Sequence, residues 1–285
     1  MSIPRTAKTT TSDLGPLPPA SSVRSNDRWL KLAAPFLVGI IFLGGWEAAV
    51  RIMAIPPYIL PTPSRIIETL ISDWPTLAAS LRITLAITFS ALAAAVVVGG
   101  ALAILFTQFK WVELALFPYA VILQVTPIVA IAPLIIIWVN DTNLSLLICA
   151  WIVAFFPILS NTILGLNSAD HNLRNLFELY GATRWQTLRY LRLPAALPYF
   201  LAGLKISGGL ALIGAVVAEF VAGTGGTASG LAYRILEAQY QLKIPRMFAA
   251  LTLISLAGVA IFLATSIIAH RLLHRWHESA IKREN

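Results

Sequence analysis

Thirteen carboxylates, four histidines and one cysteine are the groups through which this chain could do acid–base, metal or nucleophilic chemistry. Their spacing does not gather them. His270 and His274 are four residues apart and would share one helical face, as a metal-ligand pair requires. With His277, however, they stand in a basic tail, and His171 opens a separate loop. Cys149 lies inside the apolar run 145–157 and reads as a small buried hydrophobe with no disulfide partner. No lysine follows a glycine, so no Gly-Lys-Ser/Thr loop can cradle a nucleotide phosphate. The acids are scattered, and no nucleophile, base and orienting acid fall together. The expectation is a chain that is not an enzyme and binds no metal or cofactor of its own.

The elements that would have to position any site are membrane helices. Of 285 residues, 58% are apolar and 12% charged, about half the charged share of a soluble domain; mean hydropathy is +0.77. The net charge of +8 does not point to nucleic acid, because the basic residues lie between apolar blocks rather than on one face. A membrane-crossing helix needs about 20 apolar residues, and six stretches fit: 32–50, 83–106, 114–139, 144–166, 201–221 and 247–269. With the N-terminus inside, the amino-terminal tail, Lys110, the loop with Arg174, Arg184, Arg189 and Arg192, and the carboxy-terminal tail place fourteen basic residues in the cytoplasm. Arg51, Arg65, Arg82, Arg234, Lys243 and Arg246 place six outside. Both termini are therefore expected in the cytoplasm.

The expected organisation is a disordered tail over 1–31, a six-span membrane domain over 32–269 and a basic cytoplasmic tail over 270–285. The first tail lacks the apolar core of a secretory signal and is expected to be retained. Outside the membrane, Pro61 and Pro63 precede a short helix that Ser64 can cap. After Gly223, Gly225, Gly226 and Gly230, a helical spacing joins Leu231, Ile235, Ala238 and Leu242. No internal repeat is present, which argues against an inverted-repeat transporter within one chain.

The loop 167–200 differs from everything around it. Leu173, Leu176, Phe177 and Tyr180 recur at helical spacing, then Trp185, Leu188 and Leu191, with arginines between them. Gly181 can close the first short helix in a left-handed conformation, Thr183 and Gln186 can form a capping box for the second, and Pro194 is expected to end it. Such an element could lie on anionic headgroups or offer its aromatic and arginine side chains to a partner protein.

This loop resembles the EAA loop of ABC importer permeases, whose pattern is Glu-Ala-Ala, three residues, Gly, nine residues, Ile, one residue, Leu-Pro. Gly181, Leu193 and Pro194 match in register; Leu191 replaces Ile, Asn175-Leu176-Phe177 replaces Glu-Ala-Ala, and Glu178 stands three positions later. The resemblance extends over roughly residues 30–277. It is carried also by 60–64 (LPTPS), 193–203 (LPAALPYFLAG), 214–219 (GAVVAE) and 229–233 (SGLAY), which are similar to the nitrate, sulfonate, taurine, bicarbonate and pyrimidine-precursor group. It implies an all-α permease of six spans, a homodimer in a bacterial inner membrane, moving a small solute inward by alternating access. Two ATP-binding subunits, carrying ATP and Mg, would grip the loop through Asn175, Glu178, Gly181, Thr183, Arg184, Trp185, Arg189, Leu193 and Pro194. An extracytoplasmic binding protein would deliver the solute.

Within the spans, Ser207, Ala211, Ala215 and Glu219 follow Gly203 every four residues on one narrow face of the fifth stretch. Small residues admit another helix closely, so this face is expected at the dimer axis or on the solute path, or else Glu219 holds the outer loop through a backbone amide or Arg234. Glu47 reads as an interfacial anchor with Arg51, and Lys205 as a side chain that snorkels. The rival reading, an autonomous secondary transporter or channel, needs ionisable groups deep in the membrane; Glu47 and Glu219 both sit near outer ends.

Overall fold

A peptide group left unpaired in hydrocarbon is costly, and a helix satisfies its own backbone within one segment. The apolar runs accordingly fold as helices. The computed structural model describes residues 26–223 and 229–273. Most of the expected amino-terminal tail, Gly225, Gly226, His274, His277 and the rest of the basic carboxy-terminal tail lie outside the described residues.

Every regular element among the described residues is helical: α1 (Asn26–Ile52), α2 (Pro63–Ser72), α3 (Trp74–Gln108), α4 (Lys110–Val125), α5 (Ile128–Val139), α6 (Thr142–Asn167), α7 (His171–Leu179), α8 (Arg184–Thr187), a π-helical turn (Leu188–Arg192), α9 (Leu193–Ala222), α10 (Leu231–Tyr240) and α11 (Ile244–Leu273). Helix α1 starts inside the stretch expected to be tail. Five segments are long and apolar enough to cross a membrane: Ala34–Ile52, α3, α6, Arg184–Ala222 and α11. A sixth exists only if the pair α4 and α5, bent by 105°, counts as one span.

That bend lies within the stretch 114–139 expected as the third span, which is one broken span if the pair is counted together. Pro127 has no N–H for the Leu123 carbonyl and pushes Thr126 out of the helical region, to ψ 123°. The Thr126 hydroxyl instead donates back to the Ile122 carbonyl at 2.6 Å. Pro118 and Pro133 stay inside helices. At α2 the cap is Thr62, not Ser64. Its hydroxyl accepts from Arg65 N–H at 3.4 Å, because Pro63 is suited to the first helical position and shifts the start by one residue pair.

The chain divides into residues 1–49 and 50–285. In the first unit the side chains of Phe36, Ile40 and Phe42 are exposed, as on a helix facing lipid. In the second, α6 packs along α9 and α3 along α6. Missing side chains permit this approach: a methyl at Gly165 would stand 2.8 Å from the Ala196 Cα, at Gly203 2.8 Å from the Pro157 carbonyl oxygen, and at Gly214 2.8 Å from the Ala150 Cα. Phe106, Ile158, Leu159, Leu166 and Leu188 fill the core end nearest the loop.

Candidate functional site

Asp170 starts α7 by accepting the N–H groups of Asn172 at 2.7 Å and Leu173 at 3.3 Å. The helix closes as its sequence demands. Gly181 takes φ +67°, its N–H meets the Glu178 carbonyl at 3.0 Å, and the Ala182 N–H meets the Phe177 carbonyl at 2.9 Å, the two bonds of a Schellman closure. The next helix opens on a reciprocal box: Gln186 N–H to the Thr183 hydroxyl at 3.3 Å, Thr183 N–H to Gln186 Oε1 at 2.7 Å.

Pro194 does not end this helix. The π-helical turn just before it widens the coil where the proline lacks an N–H, and the helix runs on from Arg184 to Ala222. The second short helix of the loop is thus the first turn of the longest of the segments apolar enough to cross a membrane.

The loop's side chains divide sharply. Leu188 and Leu191 are buried, whereas Asn175, Glu178, Thr183, Arg184, Arg189 and Pro194 are exposed, with Leu179 83%, Tyr180 81%, Trp185 65% and Leu193 37% open. The apolar face of α7, Leu173 and Leu176, is also open. Apolar and aromatic side chains displayed together on a hydrophilic turn mark a surface for a partner protein or for the membrane. Beside it lies a recess of about 490 Å³ that brings Glu178 and Arg184 together with Lys110, Trp111, Thr187 and Arg192. Lys110 pairs with Glu113 at 2.7 Å, and Arg192 reaches the Thr107 carbonyl at 3.5 Å. Asp170 and Trp111 were not singled out from the sequence, and Lys110 and Arg192 entered only as cytoplasmic charges; of these only the cap preference of Asp170 carried a local signal.

The small-residue face of α9 is covered within the chain. Ser207, Ala211 and Ala215 are fully buried, and Ser207 donates to the Ala154 carbonyl of α6 at 2.6 Å. The close approach that this face permits is made to α6 rather than to a second copy. Lys205 sets its ammonium over the Phe262 ring, 4.1 Å from the centroid.

Glu219, 3% exposed, reaches from α9 to the start of α10, where its Oε2 accepts the Ala232 N–H at 3.0 Å. Thr84 of α3 accepts the adjacent Leu231 N–H at 2.9 Å. The residue at the cap position, Gly230, has no side chain to do this, and a methyl there would collide with the Glu219 carboxyl group. Two orphan N–H groups of α10 are therefore satisfied by other helices. Arg234 donates to Ser80 at 3.0 Å and pairs with Glu237 at 2.9 Å, and Arg246 pairs with Asp73 at 3.2 Å. Together these contacts fasten α10 and the start of α11 to α3 and its preceding turn. Leu242, expected on the helix, lies past its end with φ +54° and is exposed.

The family model for the binding-protein-dependent transport system inner membrane component matches residues 95–282. The chain is 34% identical over 275 residues to a riboflavin transport system permease of Chloroflexus aurantiacus, covering 90% of this chain and 95% of that one. It is also 34% identical over 240 residues to a formylaminopyrimidine transport permease of Halalkalibacterium halodurans, covering 84% and 94%. Among solved structures, an amino acid ABC transporter with histidines superposes with a TM-score of 0.58 at 18% identity, over 71% of this chain and 96% of that one, which shows a shared fold. A helical membrane chain with this loop, matched by that family model and by full-length permeases, is a transport component rather than an enzyme: it belongs to the binding-protein-dependent transport system inner membrane component family, the multi-pass permeases of ABC importers.

Proposed function

We propose that the permease works as a homodimer with both termini in the cytoplasm, and that two ATP-binding subunits grip the surface around Gly181. The observation that carries this reading is the continuity of the helix from Arg184 to Ala222 beneath an open apolar face on α7. A subunit seated on Leu176, Leu179, Tyr180 and Trp185 would push on the first turn of a segment that reaches the outer face. Helices in a packed interior move as stiff bodies, so a displacement of the loop is delivered along α9 to α6, with which it interdigitates. Asn175, Glu178, Thr183, Arg184 and Arg189 would set the polar rim of the contact. ATP and Mg would be bound by the partner, where hydrolysis supplies the energy, and an extracytoplasmic binding protein would present the small solute at the α10 side.

Cross-linking tests the docking surface. In a Cys149→Ser background, Leu179→Cys carrying a photo-activated cross-linker attached through a disulfide is expected to capture the ATP-binding subunit in native membranes on illumination and to release it on reduction. Absence of that product, with the complex still hydrolysing ATP, would place the contact elsewhere.

A further inference from the structure

The bend between α4 and α5 opens a recess of about 350 Å³ whose lining includes Leu123, Gln124, Thr126, Val153, Pro157 and Leu210. Its depth follows from the lining. Val153 and Pro157 lie in the middle of the 26-residue α6, and Leu210 in the middle of the 30-residue α9, so the recess sits midway along two helices long and apolar enough to cross a membrane. Two prolines meet there. Pro127 has no N–H to give the Leu123 carbonyl, and Pro157 none to give the Val153 carbonyl. Both prolines and both carbonyl residues line the same recess. Beside them Gln124 carries an exposed carboxamide at the end of α4. Irregular backbone at this depth is tolerated only where it is buried in protein or borders a water-filled space, never against lipid.

Resting on the importer reading above, we infer that this recess is a solute-contact site on the permeation path, and that it takes an uncharged solute presenting N–H or O–H donors to the Leu123 and Val153 carbonyls, with Gln124 as the adaptable partner. The lining contains no acidic or basic residue, so a bare oxyanion, which offers only acceptors, finds no donor cluster or countercharge. A flat, neutral molecule with an imide or amide edge satisfies the freed carbonyls and the Gln124 amide together. The apolar side chains of Ile152 and Leu210 are left for its faces.

Labelling in the assembled importer tests both halves of the inference. Gln124→Cys in a Cys149→Ser background is reconstituted in proteoliposomes and exposed to a charged methanethiosulfonate, with Val97→Cys as a lipid-facing control. Riboflavin, uracil, taurine and nitrate are then added separately. The expected result is modification of Gln124→Cys but not Val97→Cys, slowed by about tenfold by riboflavin or uracil at about ten times its dissociation constant, and unaffected by nitrate and taurine. Failure of the charged reagent to reach Gln124→Cys overturns the site. Labelling that nitrate or taurine slows, or that none of the four slows, overturns the solute class. ATP hydrolysis stimulated by the binding protein, measured on parallel vesicles that carry Cys149→Ser with Gln124 unaltered, reports the importer reading independently. If it is intact while labelling fails, only this inference falls.

Discussion

The carboxylate of Glu219 caps the Ala232 N–H from a different helix, at 3.0 Å. A buried acid at the end of a membrane span would ordinarily be a candidate for ion coupling. Here the acid supplies a bond that α10 cannot make for itself, since its cap residue is Gly230 and the carboxyl group fills the space a side chain would need. Removing the acid therefore loosens the start of α10, which Thr84 and Ser80 still hold.

Glu219→Ala is expected to cost about 1–3 kcal/mol, the penalty of leaving a buried donor unmade. It should make Arg234 more accessible to trypsin added on the α10 side of the membrane. Gly230→Ala should cost a similar amount alone but little more in the Glu219→Ala background, giving a coupling of about 0.5–3 kcal/mol in a double-mutant cycle. Thermal unfolding in detergent reads both; additive losses would mean that the two residues do not share the space.

At the loop, Gly181→Val places a branched side chain at φ +67° and is expected to cost about 1–2 kcal/mol locally. Thr183→Ala, which removes the capping hydroxyl, should cost about 1 kcal/mol. Both should lower retention of the ATP-binding subunit before they lower expression of the permease. Equal retention at equal expression would detach the turn geometry from docking.

The helix interface separates packing from hydrogen bonding. Ser207→Ala loses the bond to the Ala154 carbonyl, worth about 0.6 kcal/mol between membrane helices. Gly165→Val drives a side chain into Ala196 and Tyr199 and should cost about 1–3 kcal/mol or more. A melting shift larger for Ser207→Ala than for Gly165→Val would reverse that ranking.

Much of this was legible in the residues. Apolar runs of membrane length located the long helices. Gly181, Thr183 and Gln186 announced their turn and cap because those preferences are local. The stretch 114–139 is bent at Pro127, and three prolines in one run gave no local sign of which of them would break the helix. Pro194 was misleading for the converse reason: a preceding π-turn absorbed it. The α9 stripe showed that a close neighbour was needed without saying which, since a small face admits α6 as readily as a second copy. Long-range partners leave no spacing to read, and Thr84 and Leu231 are 147 residues apart.

ATP-driven transport through this permease requires the loop around Gly181 to hold an ATP-binding subunit. Purification of the tagged permease from its native membrane in mild detergent, with mass analysis of its companions, tests this directly. The unaltered chain should bring down an ATP-binding subunit, and Arg184→Glu with Arg189→Glu should lose it while unfolding at the same temperature. Recovery of the permease alone, where a control importer stays intact, or full retention by the charge-reversed chain, would contradict it.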